Sequence, residues 1–464
     1  MDLFGGSARN RVTFSIGTIG RDMVYALVNI FLIVYLTEVL DLSDSTMWWI
    51  TGILFATRIF DALTDPLMGF IVDNTRGRWG KFKPWLAIGA ILSPVFTVLL
   101  FTDFGLQGSG FVIAFAGFYL MWGISYTLHD ISYWSMLPSL SVNQKEREKI
   151  GALARIFANI GLFFVVVAVL PLTGLLGERL GSLQSGYFVF SVLITVFMMM
   201  GLSVTIFGVK ETGIITAKNQ NTSIRELLGI IYKNDQLFIT AIAMSLFMIG
   251  YMTTTTFGAY FFIYAYGDGG MFSVFAGILG VSQLAALTVF PLFSKKFDRK
   301  TLYTGAIISI SIGYILFFFA PTTTMLFIGI AGALIFFGQA FIQLLMLMFL
   351  ADSVDYGHWK LGKRNDSISF SIQPLIYKMG GAAGTGIVGA VVILSGINVA
   401  ETAADVSAEG LFLMKVAMLL FPLLCVVVSY ILYRWKFKID AKFYAQILSD
   451  LRNRGELAKD NGLV

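Results

Sequence analysis

Charge is what this sequence has least of. Asp, Glu, Lys and Arg make up 13% of its 464 residues, about half the share usual in a soluble domain. There is one cysteine, Cys425, which excludes an intrachain disulfide framework and any paired-thiolate metal site. Two histidines leave nothing from which to build a His-rich metal centre. No HExxH, GxSxG, Walker A or CxxC pattern occurs, so an enzyme reading has little to stand on. The opening MDLFGGSARNR is polar and lacks a cleavable apolar core, so no signal peptide is expected. The formal net charge is +5, and the excess cations fall in loops between apolar runs. That favours an anionic membrane surface over nucleic acid as their partner.

What fills the chain instead is hydrocarbon. Hydrophobic residues account for 57%, mean hydropathy is +0.78, and 43 Phe and 47 Gly fit membrane helices, where Gly is enriched. Runs of about 20 apolar residues predict twelve spans, near 12–39, 47–72, 84–102, 110–138, 151–175, 186–208, 236–266, 272–294, 302–320, 323–350, 368–396 and 409–433. A barrel is excluded, because its segments would be about ten residues of strict alternation.

Lys and Arg crowd every second loop, while the others hold acids such as Asp41, Asp44, Asp103, Asp268 and Asp405. By the positive-inside rule both termini are cytoplasmic. The expected fold class is therefore an all-α membrane protein of twelve transmembrane helices in two six-helix halves. The expected divisions are an N-terminal bundle at 1–208, a middle loop at 209–235, a C-terminal bundle at 236–434 and a cytoplasmic tail at 435–464. The loops after the second and eighth runs are both tight and tetracationic, which suggests an internal repeat. Ser223 and Glu226 have capping-box spacing and predict a short surface helix in the middle loop. The tail alternates apolar and charged residues at helical spacing and is expected to lie as a helix on the cytoplasmic face.

The most informative stretch runs from Arg58 to Pro84. It sets Arg58, Asp61 and Asp65 a turn apart on one helical face, then leaves the apolar phase into Arg76, Arg78, Lys81 and Lys83. A charge deep in a bilayer costs roughly 2.5–3.5 kcal/mol by insertion scales, so carboxylates there mark a pathway or an ion site. Counted from the inner ends of their runs, Asp22, Asp61, Asp130 and Lys378 all fall roughly 12–17 Å deep, near the midplane of a ~30 Å core. Arg155 is placed near the inner end of its run. Four acids (Asp22, Asp61, Asp65, Asp130) face four cations (Arg21, Arg58, Arg155, Lys378). Packing salt bridges alone are the competing reading, but a bundle needing only packing would use small residues and hydroxyls.

The fourth run carries a second face, with Tyr126, Asp130 and Trp134 spaced by four and Thr127 three before Asp130. A carboxylate that accepts hydroxyl hydrogens beside an aromatic ring is a sugar-binding pairing; an interfacial Trp anchor is the plainer alternative. His129 points away from Asp130 and is expected to pack or hydrogen-bond. The Thr253–Thr256 run either loosens its helix or back-bonds to carbonyls. Gly384, Gly386 and Gly389 match GxGxxG but lie inside a membrane run, so helix packing explains them better than a dinucleotide.

These residues carry a resemblance. Asp61 through Gly69, Arg76 through Pro84, Gly20-Arg21-Asp22, Asp130 through Pro138, Arg155, Ala351 through Gly357 and Ser371 through Lys378 are similar to the signature of the glycoside–pentoside–hexuronide:cation symporters. That family belongs to the major facilitator superfamily, and the resemblance covers nearly the whole chain. It implies twelve helices in two bundles, alternating access, and no cofactor beyond a coupling ion, H⁺ or Na⁺. It places cation binding at Asp61, Asp65 and Thr127 with Thr64 between, so a Na⁺ would sit at Asp61, Asp65 and Thr127. It places sugar binding at Asp22, Asp130, Trp134 and Arg155, with Lys378 facing the site from the other half; Arg21, Tyr126 and Gln343 complete the candidate set. Melibiose-permease-like members carry Asn where this chain has Thr64, which leaves H⁺ and Na⁺ open with the balance toward H⁺. They carry an aromatic where this chain has Gln343, so the same sugar is not carried over.

The expected function is cation-coupled sugar symport across a bacterial cytoplasmic membrane. The partners are a small sugar, the coupling cation and the lipid bilayer, with no nucleic acid, and the chain is expected to work as a monomer. The alternatives are a related carrier of a lipid or other amphiphile, and a non-transporting membrane sugar sensor.

Overall fold

A chain crossing hydrocarbon must satisfy its backbone polar groups internally, and helices do so within one segment. The computed structural model describes residues 6–40, 42–75, 77–141, 143–210, 229, 232–397, 400 and 402–456. Among these, the expected runs appear as twelve long helices in order, with no strand. They are α1 (Gly6–Ala26, continued by π-helical turns to Val39), α2 (Asp44–Asn74), α3 (Lys83–Leu100), α4 (Gly108–Ser135), α5 (Gln144–Leu180) and α6 (Leu183–Gly208). Then come α7 (Asp235–Tyr260, with a π-helical end at Phe261–Tyr266), α8 (Met271–Lys296), α9 (Arg299–Phe319), α10 (Met325–Leu361), α11 (Asp366–Leu394) and α12 (Ala408–Lys436 with a π-helical turn at Val416–Leu420). Among the described residues eleven of these are long and apolar enough to cross a membrane. The remaining one, α2, has 31 residues, or roughly 46 Å at 1.5 Å per residue. It is long enough to span, and its charged face is what lowers its apolarity. The expected helix at Ser223–Glu226 lies outside the described residues.

The chain forms two compact units. One comprises Met1–Leu227 with Asn365–Ser371, the other Leu228–Arg364 with Ile372–Val464. Within the first, α1 packs on α5 and α6, α4 on α2 and α3, and α3 on α6. Within the second, α7 packs on α12, α10 on α8 and α9, and α9 on α12. The pairings α1–α6, α2–α4, α3–α4 and α3–α6 thus recur six helices later. The leading helix of each set also ends in π-helical turns, Tyr35–Val39 in α1 and Phe261–Tyr266 in α7. The two basic loops pointed to this repeat, and packing inside each unit carries it.

Two helices extend well beyond their apolar runs, for a physical reason that hydropathy misses. α10 continues eleven residues past Leu350, through Asp352, Ser353, Asp355 and His358, all buried. Arg299 pairs with Asp352, Arg364 pairs with Asp355, and the Tyr444 hydroxyl donates to Asp355 Oδ2 at 2.6 Å. Paired in this way, the polar turns continue the helix until Gly362, whose left-handed φ of 69° ends it. The tail periodicity is realised as α13 (Ala441–Asn453), which buries Tyr444, Ile447 and Leu451. Likewise α5 starts at Gln144, capped by the Asn143 side chain, seven residues before the apolar run. Arg155 therefore lies eleven residues along α5 from its start, with the charged turn from Gln144 preceding the apolar run.

The Thr253–Thr256 run back-bonds: Thr253 Oγ1 donates to Ile249 O and Thr255 Oγ1 to Tyr251 O, while Thr254 Oγ1 bonds Met418 O and the Tyr314 hydroxyl. Of the three GxGxxG glycines only Gly384 meets another helix closely, at Met252 and Thr253 of α7.

Candidate functional site

In the first unit α1 and α4 bring one cluster together. Arg21 is 2% exposed. Its Nη1 donates to Asp130 Oδ1 at 2.8 Å, and its Nε and Nη2 donate to Asp22 Oδ2 at 3.1 and 2.8 Å. A guanidinium is a rigid fork of donors, so it fixes both acids from the buried side. The acids themselves keep side-chain exposures of 16% and 19%, which leaves them accessible to a small polar ligand.

Trp134 lies beneath the same cluster, 5% exposed. Two guanidinium groups lie over its ring, Arg21 at 5.0 Å and Arg155 at 4.7 Å from the centroid. Arg21 also lies 5.0 Å from the Tyr133 ring. Cation–π contact of this kind is worth about 0.5–2 kcal/mol. In this arrangement Trp134 is a platform that positions two cations. Arg155 Nε and Nη2 are buried and have no hydrogen-bond partner among the described residues. Buried orphaned donors are costly, and oxygen atoms of an entering ligand would satisfy them.

Tyr126 borders the cluster, its ring 5.4 Å from Tyr25 and 4.6 Å from His129. His129 is fully buried, and neither ring nitrogen has a hydrogen-bond partner among the described residues. Its packing against Tyr126, and against α3 where a Cβ on Gly89 would stand 2.7 Å from His129 Cβ, makes it a packing residue.

A second cluster lies between α2 and α4. Asp61 and Asp65, one turn apart on α2, are 7% and 1% exposed. Thr127 Oγ1 donates to Asp65 Oδ1 at 3.3 Å, and Thr64 Oγ1 donates back to Asp61 O at 3.3 Å. Gly123, one turn before Thr127, was not anticipated. A Cβ there would stand 3.0 Å from Asp61 Oδ1, so its missing side chain lets α4 approach the carboxylate closely. The donor set is all oxygen, which suits a hard cation or a proton. Among the described residues no group of three His, Cys, Asp or Glu could hold a metal ion. The side chain of Arg58, and Arg76, lie outside the described residues.

Gln343 and Lys378 belong to the second unit. Gln343, on α10, sits beside Tyr251 of α7 together with Gln283 of α8, a set of uncharged hydroxyl and amide groups. Lys378 is half-buried on α11.

At the end of α2, Asp73 accepts from the backbone N–H of Ser367 at 3.1 Å and of Ile368 at 2.9 Å. Lys81 Nζ bridges Asp73 at 3.0 Å and Asp366 at 2.6 Å. These bonds hold Asn365–Ser371 in the first unit, and only the lysine had been singled out, as a loop cation.

Known proteins share this organisation. The lactose permease of Leuconostoc lactis is 30% identical over 95% of this chain and 71% of its own length. The raffinose carrier protein of Pediococcus pentosaceus is 30% identical over 97% and 72%, and the isoprimeverose transporter of Lactiplantibacillus pentosus 26% identical over 98% and 93%. The Escherichia coli fucose:proton symporter superposes with a TM-score of 0.68 at 12% identity, covering 93% of this chain and 98% of that one. The family model described as MFS/sugar transport protein matches residues 13–441. A twelve-helix, multi-pass membrane chain with this match belongs to the MFS/sugar transport protein family of the major facilitator superfamily.

Proposed function

We propose that this protein is a secondary transporter that moves a sugar together with a cation, H⁺ or Na⁺, across a bacterial cytoplasmic membrane by alternating access. The observation that carries the reading is that α4 serves two sites at once. One face of it presents Gly123 and Thr127 to Asp61 and Asp65; a turn further on, Asp130 and Trp134 join Arg21, Asp22 and Arg155. A cation held at the first site and a sugar held at the second would therefore act on the same helix. The named activities of the relatives, permeases and carriers of lactose, raffinose and isoprimeverose, support a sugar as cargo.

In this reading Asp22 and Asp130 accept sugar hydroxyl hydrogens, Arg21 holds the two acids in register, and Arg155 donates to sugar oxygens. Tyr126 adds a polar contact, Trp134 supports the guanidinium groups, and Gln343 and Lys378 are the candidate sugar-binding residues of the second unit. Asp61, Asp65, Thr64 and Thr127 take the coupling cation. Both termini face the cytoplasm by the charge bias of the loops, and a monomer suffices.

The test is counterflow of labelled glycosides, pentosides and uronides in proteoliposomes. Exchange of at least one sugar is expected. No exchange with any member of the panel would remove the reading in favour of an amphiphile carrier or a sensor.

A further inference from the structure

The basic loop between α2 and α3 does not spend its charges alike. Lys81 is neutralised by Asp73 and Asp366. Arg78, by contrast, is exposed and has no hydrogen-bond or ion-pair partner among the described residues. Lys83 Nζ donates only to a carbonyl, Val209 O, at 2.8 Å. Both line a cleft of about 490 Å³ with Trp79, Gly80, Ile206 and Phe207.

The rest of that lining is apolar, with Ile206 buried and the two rings facing outward. Trp79 is 58% and Phe207 75% exposed. Gly80, at a left-handed φ of 80°, closes a turn with its N–H on Gly77 O at 3.1 Å, and this turn holds Trp79 on the surface beside the cations. The helix that begins at Lys83 has no side-chain cap, so the positive end of its dipole adds to the field there. Two cations with no carboxylate partner among the described residues, next to exposed rings at the end of a membrane helix, match a molecule with one anionic phosphate and an apolar body.

We propose that this cleft is a binding site for an anionic phospholipid of the surrounding membrane. Its phosphodiester lies between Arg78 and Lys83, and its glycerol and upper acyl chain lie along Trp79, Ile206 and Phe207. Basic pockets at the cytoplasmic ends of membrane helices suit such headgroups, and the volume is that of a small-ligand site. Free inorganic phosphate shares the charge but makes no use of the three apolar side chains, which is why the lipid is preferred.

The experiment uses the full chain purified in detergent, with native mass spectrometry reading retained lipid. Phosphatidylglycerol and phosphatidylcholine of equal chain length are titrated into the wild type, Arg78→Gln, Lys83→Gln and Arg179→Gln, an exposed cation in the last turn of α5. Arg78→Gln removes a side chain with no described intramolecular bond, so it tests the site without threatening the fold. Phosphatidylglycerol should bind the wild type in preference to phosphatidylcholine, and Arg78→Gln should weaken it about tenfold, the loss of a charge-assisted bond. Lys83→Gln should weaken it similarly, Arg179→Gln should not, and excess inorganic phosphate should leave the lipid bound. Equal retention by the wild type and Arg78→Gln, equal retention of the two lipids, or displacement by inorganic phosphate would each overturn the proposal.

Discussion

Gly123 of α4 stands against Asp61 of α2 so closely that a Cβ at position 123 would lie 3.0 Å from the Asp61 Oδ1 atom. In a helix interior alanine is normally favoured over glycine by about 0.8–1 kcal/mol. Here the added methyl would press on a carboxylate proposed to hold the coupling cation. Gly123→Ala should therefore leave folding and sugar exchange largely intact while weakening cation dependence several-fold. The measurement is the concentration of Na⁺, or the pH, that half-maximally stimulates sugar uptake. An unchanged midpoint under both titrations would separate Gly123 from the cation site.

Arg21 makes a different prediction, because it touches both acids at once. Arg21→Gln removes three donor contacts to Asp22 and Asp130 and takes the guanidinium charge away from both carboxylates. Charge-assisted bonds are worth about 1.5–3 kcal/mol each, so sugar affinity should fall by at least tenfold. Arg21→Lys keeps the charge but not the fork and should fall between. Asp22→Asn and Asp130→Asn should each lose a similar amount, and direct binding of labelled sugar to purified protein reads all four. Wild-type affinity in either Asn variant would place the sugar elsewhere.

Much of this architecture is written locally and so was legible. Twelve apolar runs, the alternation of loop charge, and the spacing of Asp61 with Asp65 or of Asp130 with Trp134 need only near neighbours. What was not legible depends on distant partners. The polar end of α10 reads as loop until Arg299, Arg364 and Tyr444 are brought to Asp352 and Asp355. The start of α5 was placed too late because the helix opens with the charged turn from Gln144, which hydropathy assigns to a loop. Nothing in the sequence distinguishes Gly123 from the other glycines in membrane runs; only the approach of Asp61 does. Trp134 could be assigned to a sugar face, but not to the support of two guanidinium groups drawn from α1 and α5.

The α10–α13 contact should carry stability without touching transport chemistry. Tyr444 donates to buried Asp355, and Trp359 Nε1 donates to Asp450 Oδ2 at 2.9 Å. Tyr444→Phe keeps the ring and removes one charge-assisted bond, for an expected loss of about 1.5–3 kcal/mol. Asp355→Asn also breaks the buried pair with Arg364 and should cost more, about 3–5 kcal/mol. The thermal midpoint of the detergent-purified protein should fall in that order. Unchanged midpoints in both variants would mean that the tail helix is held by Ile447 and Leu451 rather than by Asp355.

The sharpest expectation concerns Asp61 and Asp65. One turn apart on α2 and both buried, their carboxylates offer a compact set of oxygen donors suited to one cation or one proton. Thr127 reaches Asp65 from α4 at 3.3 Å, and three residues on, the same helix carries Asp130. A cation between the two acids would draw α2 and α4 together and set Asp130 for the sugar. Linkage requires the converse, that bound sugar tightens the cation by the same factor. Asp61→Asn or Asp65→Asn removes the charge that recruits the cation but none of the sugar ligands. Uphill accumulation should therefore be lost in each variant, while sugar–sugar exchange persists at least in part. Comparing concentrative uptake with exchange, with and without Na⁺ and across pH, reads both quantities in one preparation and identifies the ion. If both variants still accumulate sugar against a gradient, the coupling cation binds elsewhere and α4 is not the link.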